Sequence, residues 1–361
     1  MELAVPDRGI VGRVRYVCDS NRSPFEVLSM PKMPTVGIIG AGISGLACAQ
    51  LLARSRVKVT NFEKSRGVGG RMATRRLDSG ITFDHGAQYF TTRDPEFASQ
   101  VEQWCGSGVA TEWKGRIVSL ENVVCTELNE PRSRYIGVPS MNAIAKALAT
   151  GLEVRTSTTV QSISRIEGQW QVTDATGAIH GPFDYLISSA PPVQTQTLMG
   201  ELSQFLAPLL SSVVMLPCWA VMIQPQSPLR IEYDAAFVNE SPLSWITRNS
   251  SKAGRDNNES WVLHGSAEWS RQNLEDSAER VATSLVDAFW NATRLSPQPL
   301  VLAIAHRWRY ALPQEPLSSR LLLDHETKLG ACGDWCGGPR VEGAYLSGRA
   351  MAHALVAQFA G

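Results

Sequence analysis

The stretch TVGIIGAGISG, residues 35–45, decides the fold of this chain. Its apolar run Thr35–Ile39 predicts a buried strand, and the small and apolar residues that follow Gly45 predict a helix. Gly40, Gly42 and Gly45 lie between the two, where they allow a tight turn, a close approach to a pyrophosphate and close helix packing. Free N–H groups at the start of the helix would face that anion. The stretch therefore predicts a βαβ unit that binds a dinucleotide.

Glu63 ends the second strand that this pattern predicts. The apolar run Val57–Phe62 comes directly before it. A carboxylate at this position is suited to accept hydrogen bonds from an adenosine ribose, whereas an Arg would suit a 2′-phosphate. We therefore expect Glu63 to bind the ribose of the dinucleotide.

Two further motifs indicate which dinucleotide fits. The basic, glycine-rich loop RGVGGRM, residues 66–72, follows the second strand, and simple NAD dehydrogenases have no such loop there. Near the carboxyl end, Gly333 and Asp334 follow a predicted strand, and VEGAYLSG, residues 341–348, opens a helix. These segments resemble motifs of FAD proteins in the glutathione-reductase-like superfamily, particularly its amine oxidase, desaturase and protoporphyrinogen oxidase branch. The resemblance implies that the cofactor is FAD.

That resemblance also implies roles along the flavin. Arg71 would lie toward the pyrophosphate, Asp334 would bind the ribityl chain, and the turn Glu342–Ala344 would face the N1 and C2 edge of the ring. The amino end of a helix stabilises the negative charge that N1 gains on reduction. Cys336 does not lie in a matching attachment motif, so we expect the FAD to be non-covalent.

Three more runs narrow the resemblance. They are FDHGAQYFTTRDPEF at residues 83–97, HRWRYA at 306–311 and EGA at 342–344. Together they closely resemble the bacterial and cyanobacterial branch of the renalase family, over residues 35–361. The resemblance implies an FAD oxidase that takes hydride from 2- or 6-dihydroNAD(P) at flavin N5, with O2 as the final acceptor and H2O2 as a product. The implied partners are thus a small-molecule substrate and O2.

The motifs and the resemblance together select the candidate site residues. The predicted cofactor contacts are Gly40, Gly42, Ile43, Ser44, Gly45, Glu63, Lys64, Gly70, Arg71, Met72, His85, Gly86, Ala87, Val160, Gly333, Asp334, Glu342, Gly343 and Ala344. The predicted pocket residues are His85, Gln88, His264, Trp308, Tyr310 and Trp335, with His306 as a further candidate. A dihydropyridine gives up hydride without a general base, so no catalytic acid or base is assigned, and no metal is expected.

The order of motifs predicts an α/β fold with two interleaved domains. A discontinuous, Rossmann-like FAD-binding domain is expected at residues 34–90, 150–195 and 322–361. An α+β substrate domain, inserted as in amine oxidases and p-hydroxybenzoate hydroxylase, is expected at 91–149 and 196–321. Residues 1–33 are expected to be an N-terminal extension without regular structure.

Two local patterns within the substrate domain are informative. The uncharged stretch Leu202–Leu229 is interrupted by four prolines, which favours buried strands over a membrane-spanning helix. Apolar residues then recur at helical spacing from Leu274 to Phe289, with Asn273 as the expected helix cap.

The overall composition excludes some partners. Basic and acidic residues number 34 each, so the net charge is zero and neither nucleic acid nor an anionic membrane is an expected partner. Only seven of the basic residues are Lys, and the surplus of Arg suits a phosphate-bearing substrate. Seven scattered cysteines indicate a reducing compartment, and we expect the protein to be cytoplasmic.

Other flavoprotein classes fit less well. An aromatic hydroxylase would need an Asp-Gly motif, and this sequence has no Asp-Gly dipeptide. A disulfide reductase would need a second nucleotide fingerprint and a redox cysteine pair. An amine oxidase shares the GG motif but commonly holds a Lys near flavin N5, and Lys is scarce here. A flavin-free carrier like the GDP-dissociation inhibitors also uses this fold, so both of the last two alternatives stay open.

Overall fold

The computed structural model describes residues 33–121, 124–128 and 132–360. The predicted extension, residues 1–33, lies outside this part of the chain except for Met33. The strands are β1 Thr35–Ile39, β2 Lys58–Phe62, β3 Thr74–Arg76, β4 Thr82–Asp84, β5 Ala110–Glu112, β6 Ile117–Glu121, β7 Val124–Glu127, β8 Tyr135–Gly137, β9 Glu153–Arg155, β10 Val160–Ile166, β11 Gln169–Asp174, β12 Ile179–Phe183, β13 Tyr185–Ser188, β14 Met215–Pro225, β15 Ala235–Asn239, β16 Leu243–Arg248, β17 Trp261–Gly265, β18 Leu300–Pro313, β19 Leu322–Asp324 and β20 Leu329–Ala331. The helices are α1 Ile43–Arg54, α2 Pro95–Gly106, α3 Ala143–Ala149, α4 Pro192–Met199, α5 Leu206–Ser212, α6 Ala267–Gln272, α7 Ala278–Thr293 and α8 Arg340–Ala360.

A six-stranded sheet in the order β19-β20-β13-β1-β2-β9 carries the first glycine motif. Its strands are parallel except β19, which runs antiparallel to β20. Strand β1 lies between β13 and β2, with Val36 opposite Tyr185 and Val59. Helix α1 connects β1 to β2, so the predicted βαβ unit is present. Helix α8 packs so closely on α1 that a Cβ atom at Gly348 would lie 2.0 Å from the Ser44 carbonyl oxygen.

A seven-stranded sheet in the order β18-β14-β17-β16-β15-β6-β7 forms the other layer. It is antiparallel except for the β15–β6 pair. Helix α7 covers one face, where Phe289 packs against Trp261 with 5.5 Å between the ring centroids. The expected cap, Asn273, is wrong: Ser277 caps α7 by accepting the Arg280 N–H, and Asn273 instead ends α6. The Ser277 hydroxyl lies directly before the first helical residue, the position where such a cap acts.

The uncharged stretch 202–229 is only partly strand. Its first part forms α5, which tolerates Pro208 in the first turn because that N–H has no partner in any helix. Its second part forms β14, which is paired on both sides. The pairing with β18 shifts register around Pro217 and again before Pro225, where a missing N–H would otherwise leave a gap in the ladder. Across the described ranges, we find no helix with the length and apolar character needed to cross a membrane.

The two sheets draw on different parts of the chain. The six-stranded sheet takes its strands from residues 35–62, 153–188 and 322–331, and the seven-stranded sheet from 117–127 and 215–313. From Met33 onward the chain forms one compact unit, in an α/β fold. The exact boundaries given above for an FAD domain and a substrate domain stay a prediction.

Candidate functional site

Two glycine loops meet at the carboxyl ends of β1 and β2. Gly69 donates its N–H to the Ala41 carbonyl at 2.9 Å and forms a short parallel bridge with Gly42. Gly40 has a φ of +106°, which glycine adopts without strain. A Cβ atom at Gly45 would lie 2.4 Å from the Gly40 carbonyl oxygen, whereas one at Gly42 would meet nothing within 4 Å. The loops thus leave open space beside Gly42, at the amino end of α1.

The loop residues beside these glycines divide into buried and open positions. Ile43, Ser44 and Met72 are buried under the loops. Gly70 lies against the first loop, since a Cβ atom there would be 3.4 Å from the Gly42 Cα. The glycines therefore form the surface of the two loops, called here the cradle, and the side chains of Ile43, Ser44 and Met72 are buried behind it.

Glu63 holds the first glycine loop from the end of β2. Its buried carboxylate accepts the Ala41 N–H at 2.9 Å through Oε2 and the Ser65 N–H at 2.8 Å through Oε1. A carboxylate has about four acceptor positions, so two remain for further donors. Lys64 is exposed next to it, and Val160 is half-buried at the start of β10. Glu63 therefore retains the capacity to accept hydrogen bonds from a ribose.

Arg71 and Asp334 tie the second glycine loop to the segment before α8. In their forked ion pair, Arg71 Nη2 lies 2.6 Å from Asp334 Oδ1 and Arg71 Nη1 lies 2.7 Å from Asp334 Oδ2. Arg71 Nη1 also donates to the Ala311 carbonyl. Gly333 donates its N–H to the Ser347 hydroxyl at 2.9 Å. Such paired, charge-assisted bonds fix both geometry and distance. The structure thus brings together two motifs that are far apart in the sequence. The charges of Arg71 and Asp334 neutralise each other in this arrangement.

The segment His85–Gln88 lies between the second glycine loop and β18. Ala87 donates its N–H to the Arg71 carbonyl at 2.9 Å. Gly86 packs against the same carbonyl, since a Cβ atom there would lie 2.0 Å from the oxygen. From the other side, the Trp308 indole N–H donates to the His85 carbonyl at 2.9 Å. These bonds hold the segment at a fixed distance from the loop.

His85, His306 and Trp308 form a cluster of three rings, called here the ring cluster. His85 stacks on Trp308 with centroids 5.0 Å apart, and His306 contacts His85 edge-on at 4.6 Å and Trp308 at 4.4 Å. Burial, followed by the nearby His306, lowers the pKa of His85 to about 3. Burial and then Arg75 lower the pKa of His306. The ring cluster is therefore uncharged near neutral pH.

A buried charged group lies next to the ring cluster, called here the Asp84 cluster. It consists of Asp84, Gln88, Lys252, Arg255 and His264. Arg255 donates to Asp84 Oδ2 from Nε at 3.0 Å and also from Nη2. Lys252 donates from Nζ to Gln88 Oε1 at 2.9 Å and lies 4.0 Å from Asp84 Oδ2. Gln88 Nε2 lies 3.5 Å from His264 Nε2, which is 3.2 Å from the His85 carbonyl oxygen.

The buried surroundings change how the Asp84 cluster titrates. Burial lowers the pKa of Lys252 to about 7, although Asp84 acts in the opposite direction. Burial alone would raise the pKa of Asp84, but Lys252 and Arg255 more than offset it, so this pKa is lowered. Burial lowers the pKa of His264 to about 4. The cluster therefore contains a stable ion pair, Asp84 with Arg255, and a lysine that can change charge near neutral pH.

Lys252 and Arg255 were missed by the sequence interpretation. They lie in the loop after Asn249, whose side-chain amide donates to the Thr82 carbonyl at 2.9 Å and accepts the Asp84 N–H at 3.1 Å. These bonds bring the loop to β4. The only local signal is a Lys among small residues in a chain with few lysines, and that is too weak to assign a site.

Some predicted residues take other positions. Trp335 was expected in the pocket, but it is fully buried in the hydrophobic core, and its indole N–H lies 3.3 Å from the Ala190 carbonyl. A ring enclosed by apolar side chains has no face left for a substrate. Tyr310 is half-buried two residues beyond Trp308, where alternation along β18 puts both on the same face.

The start of α8 is held by its own contacts. Glu342 Oε1 accepts the N–H groups of Arg93 and Asp94 at 2.7 and 2.8 Å, so its side chain is engaged with the start of α2. Gly343 lies against the Gly338 carbonyl, which is 2.0 Å from where a Cβ atom would be. Ala344 is buried. The backbone groups of this turn remain available to a cofactor.

These features fit a dinucleotide. The cradle has open space at Gly42, a carboxylate with spare acceptors at Glu63, and the amino end of α1 with its free N–H groups. The segment before α8 is tied to the second glycine loop by the Arg71–Asp334 ion pair. The donor and acceptor set thus suits pyrophosphate and ribose.

Comparisons with known proteins agree with this chemistry. Residues 38–104 match the family model described as an NAD(P)-binding Rossmann-like domain. Mouse renalase is 23% identical over 309 residues, which cover 80% of this chain and 88% of renalase. A 4,4'-diapophytoene desaturase of Staphylococcus haemolyticus is 49% identical over 51 residues, only 14% of this chain and 10% of the desaturase.

Solved structures share the fold. A putative protoporphyrinogen oxidase from Exiguobacterium sp. 255-15 superposes with a TM-score of 0.71 at 14% identity, covering 90% of this chain and 99% of that one. A putrescine oxidase bound to putrescine superposes with a TM-score of 0.68 at 15% identity, covering 90% and 100%. The chain is thus similar to mouse renalase over most of its length, and it shares its fold with a putative protoporphyrinogen oxidase and a putrescine oxidase.

Proposed function

We propose that this protein is an oxidase that binds FAD non-covalently and oxidises a dihydronicotinamide isomer, 2- or 6-dihydroNAD(P). The substrate loses one hydride and becomes NAD(P)+, and O2 takes up that hydride's two electrons, its proton and one solvent proton to give H2O2. Bound FAD supplies the acceptor that links these two half-reactions. The observation that carries the proposal is the match to renalase over most of the chain.

The ring cluster suits this substrate. Hydride transfer from a dihydropyridine needs the donor carbon held close to the acceptor in a pocket that excludes water, and it needs no general base. His85 and His306 are kept uncharged by burial. Because the pyridine ring becomes a cation as it loses hydride, an imidazolium beside it would oppose the reaction. Uncharged rings, stacked at Trp308, avoid that repulsion.

An amine oxidase is the second candidate. Lysines are scarce in this chain, but one of them, Lys252, is buried, and its Nζ lies 2.9 Å from Gln88 Oε1. Its pKa, lowered to about 7, lets it hold or release a proton near neutral pH. The fold shared with putrescine oxidase is compatible with either activity.

Anaerobic mixing separates the two candidates. We expect 2- or 6-dihydroNAD(P) to bleach the flavin absorbance within seconds, while ordinary NADH and putrescine leave it unchanged. Air should then restore the colour and release one H2O2 for each substrate oxidised. If an amine bleaches the flavin and the dihydronicotinamides do not, the amine oxidase assignment replaces ours. A protein that stays colourless after incubation with FAD would support a flavin-free carrier.

We further propose a reducing compartment, the cytoplasm, as the place of action. The six cysteines in the described ranges are all free thiols. Burial raises the pKa of Cys48, Cys332 and Cys336, so these thiols are poor nucleophiles. Fractionation of native cells with an antibody to the protein tests the location.

A further inference from the structure

An open cleft of about 570 Å³ lies where the start of α8 meets the start of α2. Three arginines and two acids line it: Arg93, Arg320, Arg340, Asp94 and Glu342. Both acids are engaged within the protein. Glu342 accepts two backbone N–H groups, and Asp94 accepts the N–H of the second residue of α2 and pairs with Arg320 at 3.1 Å. Arg320 is therefore part of the wall.

Arg93 and Arg340 remain available to a ligand. Both are exposed, and within the described ranges neither guanidinium has a carboxylate within 4.0 Å. Arg340 has a φ of +84°, in the left-handed region that side chains rarely adopt. It is also the first residue of α8, a helix of 21 residues whose first N–H groups have no partner in the helix. Two free cations and a helix amino end thus share one cleft.

The cleft adjoins the proposed active site. It shares Glu342 and Gly343 with the turn expected to face the flavin ring. Arg93 follows the segment His85–Gln88 in the same stretch of chain. The cleft and its surplus of positive charge therefore lie at the turn that is expected to face the flavin ring.

We propose that this cleft binds the phosphate groups of the substrate through Arg93 and Arg340. The inference rests on the proposed function and adds the determinant that selects nucleotide substrates. Guanidinium groups bind phosphate oxygens through paired, charge-assisted hydrogen bonds. The helix amino end adds donors for the same anion. Arg93 and Arg340 thereby account for part of the surplus of Arg in this neutral chain.

Substrates with and without phosphate test the proposal kinetically. The variants are Arg93→Gln and Arg340→Gly, the latter because glycine accepts the positive φ. For a dihydroNAD isomer, each should raise KM roughly 10- to 100-fold with kcat unchanged, since one charged hydrogen bond is lost. For the matching dihydronicotinamide riboside, which has no phosphate, KM should not change. Arg309→Gln, an exposed arginine paired with Glu275, is the matched control and should leave both substrates unaffected.

A binding measurement gives an independent result. We expect calorimetric titration of the FAD-loaded protein to show binding of ADP-ribose and of inorganic pyrophosphate. Combining Arg93→Gln with Arg340→Gly in one double variant should weaken this binding more than tenfold, and added salt should weaken it further. The proposal is overturned if the double variant binds both anions like the wild type, or if it loses the riboside and the dinucleotide equally. If no dihydronicotinamide reduces the flavin, the proposed function fails, while the titration still decides whether the cleft binds phosphate.

Discussion

The glycine loops and the Asp84 cluster differ in the kind of group that forms them: backbone in the loops and side chains in the cluster. The loops, residues 40–45 and 66–72, use backbone groups, positive φ angles and missing side chains. The Asp84 cluster uses charged and neutral polar side chains from three separate stretches of the chain. The first can be recognised locally because only glycine allows its geometry. The second exists only when distant segments have packed.

The two regions also differ in how polar groups are satisfied. The glycine loops leave space and donors at the surface for a ligand. In the Asp84 cluster, Asp84, Lys252 and Arg255 are all buried, and the carboxylate is the acid that faces both cations. Truncating a charged side chain of the Asp84 cluster should therefore reduce stability, whereas filling the open space at Gly42 should reduce ligand binding.

The largest expected effect is from Asp84→Ala, which leaves two buried cations without their carboxylate. We expect a loss of about 3–5 kcal/mol in the free energy of unfolding, measured by urea denaturation. Glu275→Ala is the control, because Glu275 pairs with Arg307 and Arg309 at the surface, and it should cost no more than about 1 kcal/mol. Equal losses of stability in Asp84→Ala and Glu275→Ala would show that burial of an ion pair does not determine how much it contributes to stability.

A pair of glycine variants tests the loops. Gly45→Val should cost about 1–3 kcal/mol, since its Cβ would meet the Gly40 carbonyl at 2.4 Å. Gly42→Ala should leave stability nearly unchanged, because Gly42 has φ −73° and open space at Cβ. It should still weaken FAD at least tenfold in a fluorescence titration by occupying that space. Retention of wild-type FAD affinity in Gly42→Ala would contradict the assignment of this space to the cofactor.

Lys252→Met tests the charged lysine through pH. Because the folded pKa is lowered to about 7 from the ordinary 10.5, the unfolded chain binds more protons between these values. Stability of the wild type should therefore rise with pH in that window, by at most about 1.4 kcal/mol per unit from this group. The variant should lack this rise when urea midpoints are compared between pH 7 and 9. If stability changes with pH equally in the wild type and in Lys252→Met, Lys252 does not titrate between pH 7 and 9.

The smallest effect is expected for Trp308→Phe. It removes the indole N–H that the His85 carbonyl accepts, at a cost of about 1 kcal/mol, and leaves a ring in place. Trp335→Phe removes a comparable bond to Ala190 within the core. Only Trp308→Phe should change kcat/KM for dihydronicotinamide riboside, by a few-fold. A change of equal size in both variants would indicate a general loss of stability instead of a local role.

The fold could be predicted from the sequence, whereas the contacts between distant segments of the candidate site could not. The βαβ unit was predictable because a strand, three glycines and a helix follow one another without interruption. The family resemblance implies that Arg71 and Asp334 contact the same cofactor, but it does not predict the direct ion pair between them.

The remaining differences have physical causes. Trp335 was misplaced because an aromatic residue beside a motif has the same sequence pattern whether it faces a pocket or a core. Asn273 precedes an apolar repeat and so resembles a helix cap in the sequence, but Ser277 lies nearer to the first helical N–H groups. Lys252 was missed because the side chain of Asn249, not any local periodicity, brings its loop to β4.

The close contact between Gly348 and Ser44 has a consequence for how the protein is made. On the ribosome, β1 and the first glycine loop are synthesised well before their neighbours β20 and α8. Until α8 has left the exit tunnel, α1 lacks the helix that packs on it, and Asp334 has not yet reached Arg71. The two glycine loops therefore gain their final neighbours only after about 280 further residues have been synthesised.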